Sequence, residues 1–368
     1  MEKKLIVTYG EDVQKMTKEV LEKAELEKMI PKGARIGIKP NLVVAKPASS
    51  GATTSPAIIS ALIEYLQEYG NSDILILESS WIGDHTRRAF KVCGYEEISR
   101  KYGIPLFDIK SDTYSVKSYG GISMEISNKV LAMDFLINVP VLKGHCQTMI
   151  TGALKNLKGC ISDREKRRFH TMGLHRPIAY LNKILTSNFI LVDSLCGDLD
   201  FEEGGNPVKM NRIFCGTDPV LIDAYIAATM GYSPEDIGHI KIAADIGVGD
   251  LDIDKAEIVV INKDTTKVHP VFPTKVKRLA RYTEAKEACS ACYANLIHAL
   301  ARLDEKGLLQ RFKNTPIKIG QGYKNLRCDG PGVGNCVSGA EHVVKGCPPS
   351  TKAIRAFLEE YVKGRQGK

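Results

Sequence analysis

Short apolar runs alternate with amphipathic segments along the first 260 residues of the chain. Apolar runs at 4–9, 34–44, 73–78, 135–142, 188–195, 212–216 and 256–261 predict buried strands. Between them, apolar residues at helical spacing predict helices over about 13–29, 55–66, 86–102 and 177–185. Strands that alternate with helices in this way are typical of a mostly parallel sheet with helices on both faces, which is an α/β fold.

Polar residues stand where several of the predicted strands end. Lys39 and Asn41 lie at the end of the second run, Glu78 ends the third, and Lys143 with His145 follows the fourth. In such sheets, ligands bind beyond the carboxyl ends of the strands. We therefore predict one cleft at this edge, lined by Lys39, Asn41, Glu78, Lys143, His145, Lys155 and Lys158.

The segment 141–176 holds a high density of polar and basic side chains. Ile150, Leu154 and Leu157 recur at i, i+4 and i+7, which predicts a helix with one buried face. Thr148 is the predicted N-cap of this helix, and Gly159 its end. A helix N-terminus attracts anions. We therefore predict that an anionic group binds here, held by Thr148, Thr151, Lys155 and Arg164.

Titratable side chains in this segment point to acid–base chemistry. His145 and His170 can act as general acids or bases near neutral pH, and histidines can equally ligate a metal ion. Lys143 would disfavour the imidazolium and keep His145 neutral, and lysines such as Lys155 can stabilise an enolate oxygen. The candidate catalytic residues are Lys143, His145, Lys155, Lys158 and His170, and the candidate substrate-binding residues are Lys39, Asn41, Glu78, Thr148, Thr151 and Arg164. A solvated basic loop is the alternative for this segment.

Several of these motifs occur together in a known family. The runs LKGHCQTMITGALKNLKG, RFHTMGLH and LVDSL followed by GTDPVLIDA, in that order, resemble the family called domain of unknown function 362. The resemblance covers about residues 34 to 250. It implies the fold of that family and an association with iron–sulfur clusters, because its members often carry iron–sulfur segments. It implies no particular reaction.

Composition narrows the classes of partner. The 368 residues carry a formal net charge of +8, which suits a small anionic metabolite or an acidic redox partner protein. Aromatic residues make up only 7% of the chain and no nucleic-acid-binding motif occurs, so a nucleic acid is not a predicted partner. Neither a Gly-x-Gly-x-x-Gly nor a Walker motif occurs, which removes the main support for a dinucleotide or a nucleoside triphosphate as ligand.

The N-terminal apolar run and the cysteine content bear on the compartment. The run breaks at Gly10, too early for a signal peptide, and no stretch of about 18 apolar residues follows. We therefore predict a cytoplasmic protein with no membrane partner. In that compartment, ten cysteines indicate metal binding or redox chemistry more strongly than disulfide bonds.

Five of the ten cysteines lie in a separate C-terminal stretch. The α/β pattern breaks around 269–273, where two prolines adjoin a basic run. We therefore predict two domains, an α/β core over 1–268 and a small α+β module over 269–368 that contains the five cysteines from 289 to 347.

Four of these cysteines have the context of cluster ligands. Cys289 and Cys292 form a C-x-x-C pair, Cys336 follows Gly-Asn, and Cys347 lies in a Gly-Cys-Pro-Pro segment. That segment resembles cluster segments in small subunits of respiratory and hydrogenase-type complexes. Predicted helices begin beside these residues, and a helix N-terminus stabilises an anionic centre. We predict that the four thiolates bind one 4Fe–4S cluster and that Cys328 does not, with structural zinc or no metal as alternatives.

Three functions fit these features. The first is an iron–sulfur redox enzyme that acts on a small anionic substrate at the 141–176 site. The second is an electron carrier or binding protein without chemistry of its own. The third is a non-redox racemase or lyase with a mononuclear metal or an organic cofactor in the core site, suggested by a faint likeness in layout to nickel-cofactor racemases. The lysine-rich segment favours an enzyme, because a carrier needs only an accessible cluster.

Overall fold

The computed structural model describes residues 3–262 and 274–364. Among these, 3–166 with 175–262 form one compact unit, and 167–174 with 274–364 form a second. The predicted domain boundary between residues 268 and 269 lies outside the described residues. We refer to the two groups as the first and the second unit.

The strands of the first unit follow the predicted apolar runs, with additions. In chain order they are β1 (Lys4–Tyr9), β2 (Ile36–Pro40), β3 (Ile74–Glu78), β4 (Leu106–Asp108), β5 (Tyr114–Tyr119), β6 (Ile122–Ser127), β7 (Phe135–Val139), β8 (Lys143–His145), β9 (Met149–Thr151), β10 (Phe189–Asp198), β11 (Pro207–Gly216) and β12 (Glu257–Val260). Strands β5 with β6 and β8 with β9 form two antiparallel hairpins. These hairpins and the short strand β4 lie outside the predicted runs.

The remaining strands form one eight-stranded sheet, in the order β12-β1-β11-β10-β7-β2-β3-β4. The run from β10 to β4 is parallel throughout, and β12 is parallel to β1. Strand β11 runs against both of its neighbours. The prediction of a mostly parallel sheet in an α/β fold is therefore confirmed.

The helices of the first unit begin in different ways, some of them at start signals in the sequence. They are α1 (Val13–Lys23), α2 (Leu26–Met29), α3 (Pro56–Glu68), α4 (Thr86–Val92), α5 (Tyr95–Tyr102), α6 (Asn128–Leu131), α7 (Ala153–Asn156), α8 (Asp163–Thr171, whose last turns belong to the second unit), α9 (His175–Ile184), α10 (Pro219–Thr229) and α11 (Gly238–Asp245). Asp12 and Asp218 cap α1 and α10 through their side chains, and Pro56 is the first residue of α3.

Two predicted helices are interrupted. The helix expected over 13–29 divides at Glu25, which adopts a left-handed conformation, and the helix expected over 86–102 divides at Gly94, also left-handed. A residue with positive φ ends the α-helical hydrogen-bond series, so each segment continues as a second short helix.

The prediction of one helix from Thr148 to Lys158 is wrong. Thr148 is not an N-cap, because it lies in the turn of the β8–β9 hairpin, and only Ala153–Asn156 form an α-helix. Residues Leu157–Cys160 form one 3-10 turn that contains Gly159 instead of ending at it. Ile150, Leu154 and Leu157 are all buried, as a helix would require. A hairpin followed by a short helix satisfies the same apolar spacing.

The second unit is built on a small parallel sheet. Its strands are β13 (Thr283–Ala285), β14 (Ile317–Ile319), β15 (Cys328–Val333) and β16 (Ala340–Val344), in that order across the sheet. Its helices are α12 (Thr274–Ala280), α13 (Ser290–Glu305) and α14 (Thr351–Gly364), and α13 packs against both of the others. In the described ranges, no helix of either unit is long and apolar enough to cross a membrane.

Candidate functional site

Lys39 and Glu78 form a buried ion pair at the carboxyl edge of the large sheet. The Lys39 Nζ lies 2.8 Å from the Glu78 Oε1, and both side chains are almost fully buried. Glu78 also accepts the backbone N–H of Leu42 at 2.7 Å and that of Ser79 at 2.6 Å. Gly159 packs on this pair, since a Cβ atom there would lie 2.7 Å from the Lys39 Nζ. Neighbouring backbone therefore holds the pair in place.

Three asparagine side chains form a hydrogen-bonded chain beside this pair. The Asn41 Nδ2 donates to the Asn156 Oδ1 at 3.0 Å, and the Asn156 Nδ2 donates to the Asn138 Oδ1 at 2.7 Å. The Asn138 Nδ2 donates in turn to the carbonyl of Ala153 at 2.9 Å. The chain ties the ends of β2 and β7 to the short helix α7. A buried amide network of this kind is rigid because each member satisfies the next.

Lys143 is buried and held by neutral acceptors. Its Nζ donates to the Asn41 Oδ1 at 3.2 Å, to the carbonyl of Ala52 at 2.5 Å and to the carbonyl of Glu202 at 2.8 Å. Burial lowers the pKa of Lys143 to about 7, although the carboxylate of Glu202 opposes this shift. The amine is therefore poised to change its charge near neutral pH.

Glu202 joins His145 to Lys155. Its Oε2 lies 3.1 Å from the His145 Nε2 and accepts from the Lys155 Nζ at 2.6 Å. The His145 Nδ1 accepts the backbone N–H groups of Gln147 and Thr148, at 3.1 Å and 3.0 Å. The ring hydrogen therefore sits on Nε2 and points at Glu202. The arrangement brings an ammonium, a carboxylate and a neutral imidazole together, all of them largely buried.

Burial and neighbouring charges shift the pKa values of His145 and Glu202. Burial lowers the pKa of His145 to about 4, and Lys155 adds to this effect. The predicted neutral state of His145 is thus reached mainly through burial and not through Lys143. Burial opposes ionisation of Glu202, but His145 and Lys155 outweigh it and hold the pKa of that carboxyl well below its usual value. At neutral pH we therefore assign a negative charge to Glu202 and no charge to His145.

The loop after β10 carries Glu202 and is held by hydrogen bonds. Asp198 accepts the backbone N–H groups of Asp200, Phe201 and Asn206, at 2.9 to 3.0 Å. Two lysine side chains also donate hydrogen bonds to main-chain carbonyls of this loop. Lys143 binds the carbonyl of Glu202, and Lys46 that of Glu203 at 2.7 Å.

Asp223 of α10 positions the helix that carries Lys155. Its carboxylate accepts the N–H of Ala153 at 2.6 Å and that of Leu154 at 3.1 Å. A Cβ atom at Gly152 would lie 2.1 Å from the Asp223 Oδ1, so only glycine allows this approach. Burial raises the pKa of Asp223 to about 7, and the two N–H donors reduce this rise.

The other predicted site residues do not join these groups in the same way. Thr148 donates to the carbonyl of Ile150 at 3.0 Å, and the hydroxyl of Thr151 is buried without a hydrogen-bond partner among the described residues. Arg164 is exposed and pairs with Glu125 of β6. Lys158 is half-buried in the 3-10 turn and helps to lower the pKa of His145, and His170 belongs to the second unit.

Three cysteines of the second unit act on the charge of a fourth, Cys292. Burial raises the pKa of the Cys292 thiol to about 12, and Cys289, Cys347 and Cys336 add to the rise. Cys328 does not contribute to this shift, and the predicted ligand set stays a prediction. Gly334 brings its backbone close to the Cys292 thiol, because a Cβ atom there would lie 3.8 Å from the Sγ. Within 3–262 and 274–364, no three Cys, His, Asp or Glu side chains already form a metal-binding group.

Comparison with known proteins identifies the first unit. The family model described as Domain of unknown function (DUF362) matches residues 36–228, more than half of the chain. The chain belongs to this family. The DUF362 match contains the groups around Glu202, Lys39 and Asp223, but it ends well before Cys289. The cluster association that the sequence suggested is therefore not carried by the family match.

A curated relative and a solved structure add little to this assignment. The thylakoid-associated protein sll1697 from Synechocystis sp. is 27% identical over 224 residues, which cover 59% of this DUF362 chain and 69% of that protein. The lactate racemase apoprotein from Thermoanaerobacterium thermosaccharolyticum aligns over 66% of this chain at 15% identity, with a TM-score of 0.37. The DUF362 chain spans 57% of that protein's length, and so distant a likeness supports no assignment of activity.

Four site residues of this DUF362 member were not predicted from the sequence. Asn138 stands at the end of β7, so the rule that found Lys39 would also have found it. Asp223 is a lone carboxylate in an otherwise apolar helix, which is a visible signal. Asn156 carried no signal of its own. Glu202 carried none either, because it lies in a glycine-rich loop that looks like a plain connection.

Proposed function

We propose that the protein is an iron–sulfur enzyme that acts on a small anionic substrate in its first unit. The observation that carries this proposal is the Glu202 carboxylate shared by His145 and Lys155. Buried titratable groups with shifted pKa values, fixed at the carboxyl edge of a parallel sheet, are typical of catalytic sites in α/β enzymes. A purely structural role would not require a lysine, a histidine and a glutamate in one buried group.

The roles of these residues follow from their hydrogen bonds. Lys155 donates to Glu202 alone among the described residues, so its other ammonium hydrogens can bind an anionic group of the substrate. His145 donates its Nε2 hydrogen to Glu202, and this pair can move a proton to or from a bound substrate. Lys143, with a pKa of about 7, is a second candidate proton donor. The asparagine chain and Asp223 keep these groups in place.

The second unit supports the iron–sulfur part of the proposal. Iron–sulfur clusters are held by cysteine thiolates, and the thiols of Cys289, Cys347 and Cys336 all act on the charge of Cys292. Gly334 lets the main chain approach the Cys292 thiol, and Cys289 accepts a hydrogen bond from the Gln321 amide at 3.4 Å. Cys289, Cys292, Cys336 and Cys347 would hold the cluster, which would supply one-electron chemistry. We also propose a cytoplasmic location and a redox partner protein.

Two measurements test this function. Phosphate and acetate should raise the melting temperature of the protein, and Lys155→Met should reduce that rise, whereas Lys15→Met, an equal charge change on an exposed helix face, should not. Anaerobically purified protein should contain four iron and four sulfide per chain. An equal anion effect in both lysine variants would reject the substrate site. One zinc per chain without sulfide would reject the cluster.

A further inference from the structure

Two histidines at the starts of α9 and α11 form a stacked pair in the first unit. The rings of His175 and His239 lie 5.6 Å apart between centroids, at 15° to each other. Their Nδ1 atoms are 3.3 Å apart. His239 is completely buried, and neither residue belongs to the predicted site set.

The hydrogen bonds of this pair determine where the ring hydrogens lie. The backbone N–H of His239 donates to the His175 Nδ1 at 3.1 Å, so that nitrogen is an unprotonated acceptor. In the contact between the two rings, the hydrogen must then sit on the His239 Nδ1. A neutral imidazole with its hydrogen on Nδ1 has a free lone pair on Nε2. Burial, followed by His175, Lys155 and His145, lowers the pKa of His239 well below its usual value, so the ring is neutral.

This lone pair is buried without a partner. The His239 Nε2 has no hydrogen-bond partner within the described part of the chain. Buried polar atoms are nearly always satisfied, so an exception calls for a ligand or a water. His239 lies near the Glu202 group, because α11 packs against α9 and α10, and both of these helices contact α7, which carries Lys155. Helix α9 connects the two regions, since it packs on α11 and its Asn182 donates to the carbonyl of Leu154 in α7.

We propose that the His239 Nε2 accepts a hydrogen bond from the substrate, which is therefore a small anion with a hydroxyl group beside its charged group. This inference rests on the proposed function, because Lys155 holds the anionic group. The hydroxyl of Thr151, four positions before Lys155 and also buried without a partner in the described residues, offers a second polar contact. His175 is a positioning residue, since it sets the tautomer of His239.

The test compares two probes that differ by one hydroxyl, acetate and glycolate. Protein labelled with 15N-histidine is titrated with each probe, and the nitrogen resonances of the eight histidines are followed. The Nε2 of His239 should be unprotonated in the free protein. Glycolate should shift this resonance and bind about tenfold more tightly than acetate, as expected for one added hydrogen bond.

Two substitutions at position 239 distinguish loss of the hydrogen bond to the Nε2 atom from a change in packing. In His239→Asn, the amide keeps a donor to His175 but leaves no atom at the Nε2 position, so glycolate and acetate should bind equally well. In His239→Gln, the amide oxygen reaches the Nε2 position, so part of the preference for glycolate should return. Acetate binding should be unchanged in both variants.

The outcomes distinguish this inference from the proposed function. If acetate binds in a Lys155-dependent manner but glycolate binds no better, the contact to His239 is wrong and the anion site stands. A protonated Nε2 on His239 in the free protein would also overturn the inference. If neither probe binds, the proposed function fails and the inference fails with it.

Discussion

The two units hold their reactive groups in opposite ways. In the first unit, the charged groups of the site are fixed by other atoms of the chain, as for Lys39 by Glu78 and for Glu202 by His145 and Lys155. In the second unit, the pKa of the Cys292 thiol is raised first by burial and then by the thiols of Cys289, Cys347 and Cys336. Cys289 accepts a hydrogen bond from the Gln321 amide, and Cys347 is exposed.

This difference indicates two kinds of site. A buried polar network that is already satisfied is rigid before any ligand arrives, which favours precise orientation of a substrate. A group of thiols gains its final geometry from the ion that it binds, and binding then contributes directly to folding. We therefore expect substitutions in the first unit to cost stability in any state of the protein. Substitutions in the second unit should cost stability chiefly by preventing cluster binding.

The largest effect should come from Cys292→Ala. The cluster should be lost completely, because Cys292 is one of the four proposed ligands and a fully cysteine-ligated cluster needs four thiolates. Hydrogen exchange in β14 to β16 should then become faster, since cluster binding stabilises the fold around it, while exchange in β2 and β3 stays the same. Cys196→Ala, in the first unit, is the control and should keep four iron per chain. Full iron content in Cys292→Ala would contradict the assignment.

Breaking the buried pair of the first unit should have the next largest effect. Lys39→Met leaves the Glu78 carboxylate buried without its counter-ion and should lower the free energy of unfolding by about 3–5 kcal/mol. Urea unfolding followed through the fluorescence of Trp81, the one tryptophan of the chain, reports on this unit. The double variant Lys39→Met with Glu78→Leu should lose less than the single one. A loss below about 1 kcal/mol in the single variant would mean that the pair is not essential to the fold.

The residues of the site in the first unit differ in how visible they are in the sequence. Lys39 and Glu78 end apolar runs, so the pattern alone placed them at one sheet edge. Glu202 depends on a loop whose shape comes from Asp198 and from lysines far away in sequence. Such long-range hydrogen bonds leave no local pattern.

The segment 148–160 shows a second limit. Its apolar spacing predicted the buried residues correctly and their secondary structure wrongly. The turn after β8 is stabilised by the His145 Nδ1, which accepts the N–H groups of Gln147 and Thr148, and Asp223 from a distant helix starts α7. Both interactions override local helix preference, and neither can be derived from spacing alone. The cysteines differ in this respect, because their spacing and glycine context single out four residues without any long-range contact, and their assignment as ligands stays a prediction.

A smaller effect concerns the pH dependence of stability in the first unit. Burial raises the pKa of Asp223 to about 7, above its value of about 4 in the unfolded chain. Between these values the folded protein binds more protons, so this residue contributes stability at pH 4 that is lost as the pH rises to 7. In Asp223→Asn, that decline should be flatter by up to about 1.4 kcal/mol per pH unit.

The measurement is the free energy of unfolding at several pH values from about 4 to about 7, the range between the two pKa values of Asp223. Glu203 and Asp193 also have raised pKa values, to about 7 and about 6, so some decline should remain in the variant. Asp73→Asn serves as a control, because it removes one exposed carboxylate from the same unit and should leave the decline unchanged. Burial also raises the pKa of Asp218, so that residue contributes to the decline that remains. A decline as steep in Asp223→Asn as in the wild-type protein would show that Asp223 is ionised in the fold.

The smallest effect should come from Cys328→Ala. Cys328 begins β15, its backbone N–H binds the carbonyl of Gly339 at 3.2 Å, and its thiol does not contribute to the shift at Cys292. The alanine variant should therefore keep its full iron and sulfide content and change the unfolding free energy by less than about 1 kcal/mol. Cys347→Ala is the matched comparison, because Cys347 is the most exposed of the four proposed ligands and should still be required. Full cluster content in Cys347→Ala together with its loss in Cys328→Ala would mean that the fourth ligand is Cys328.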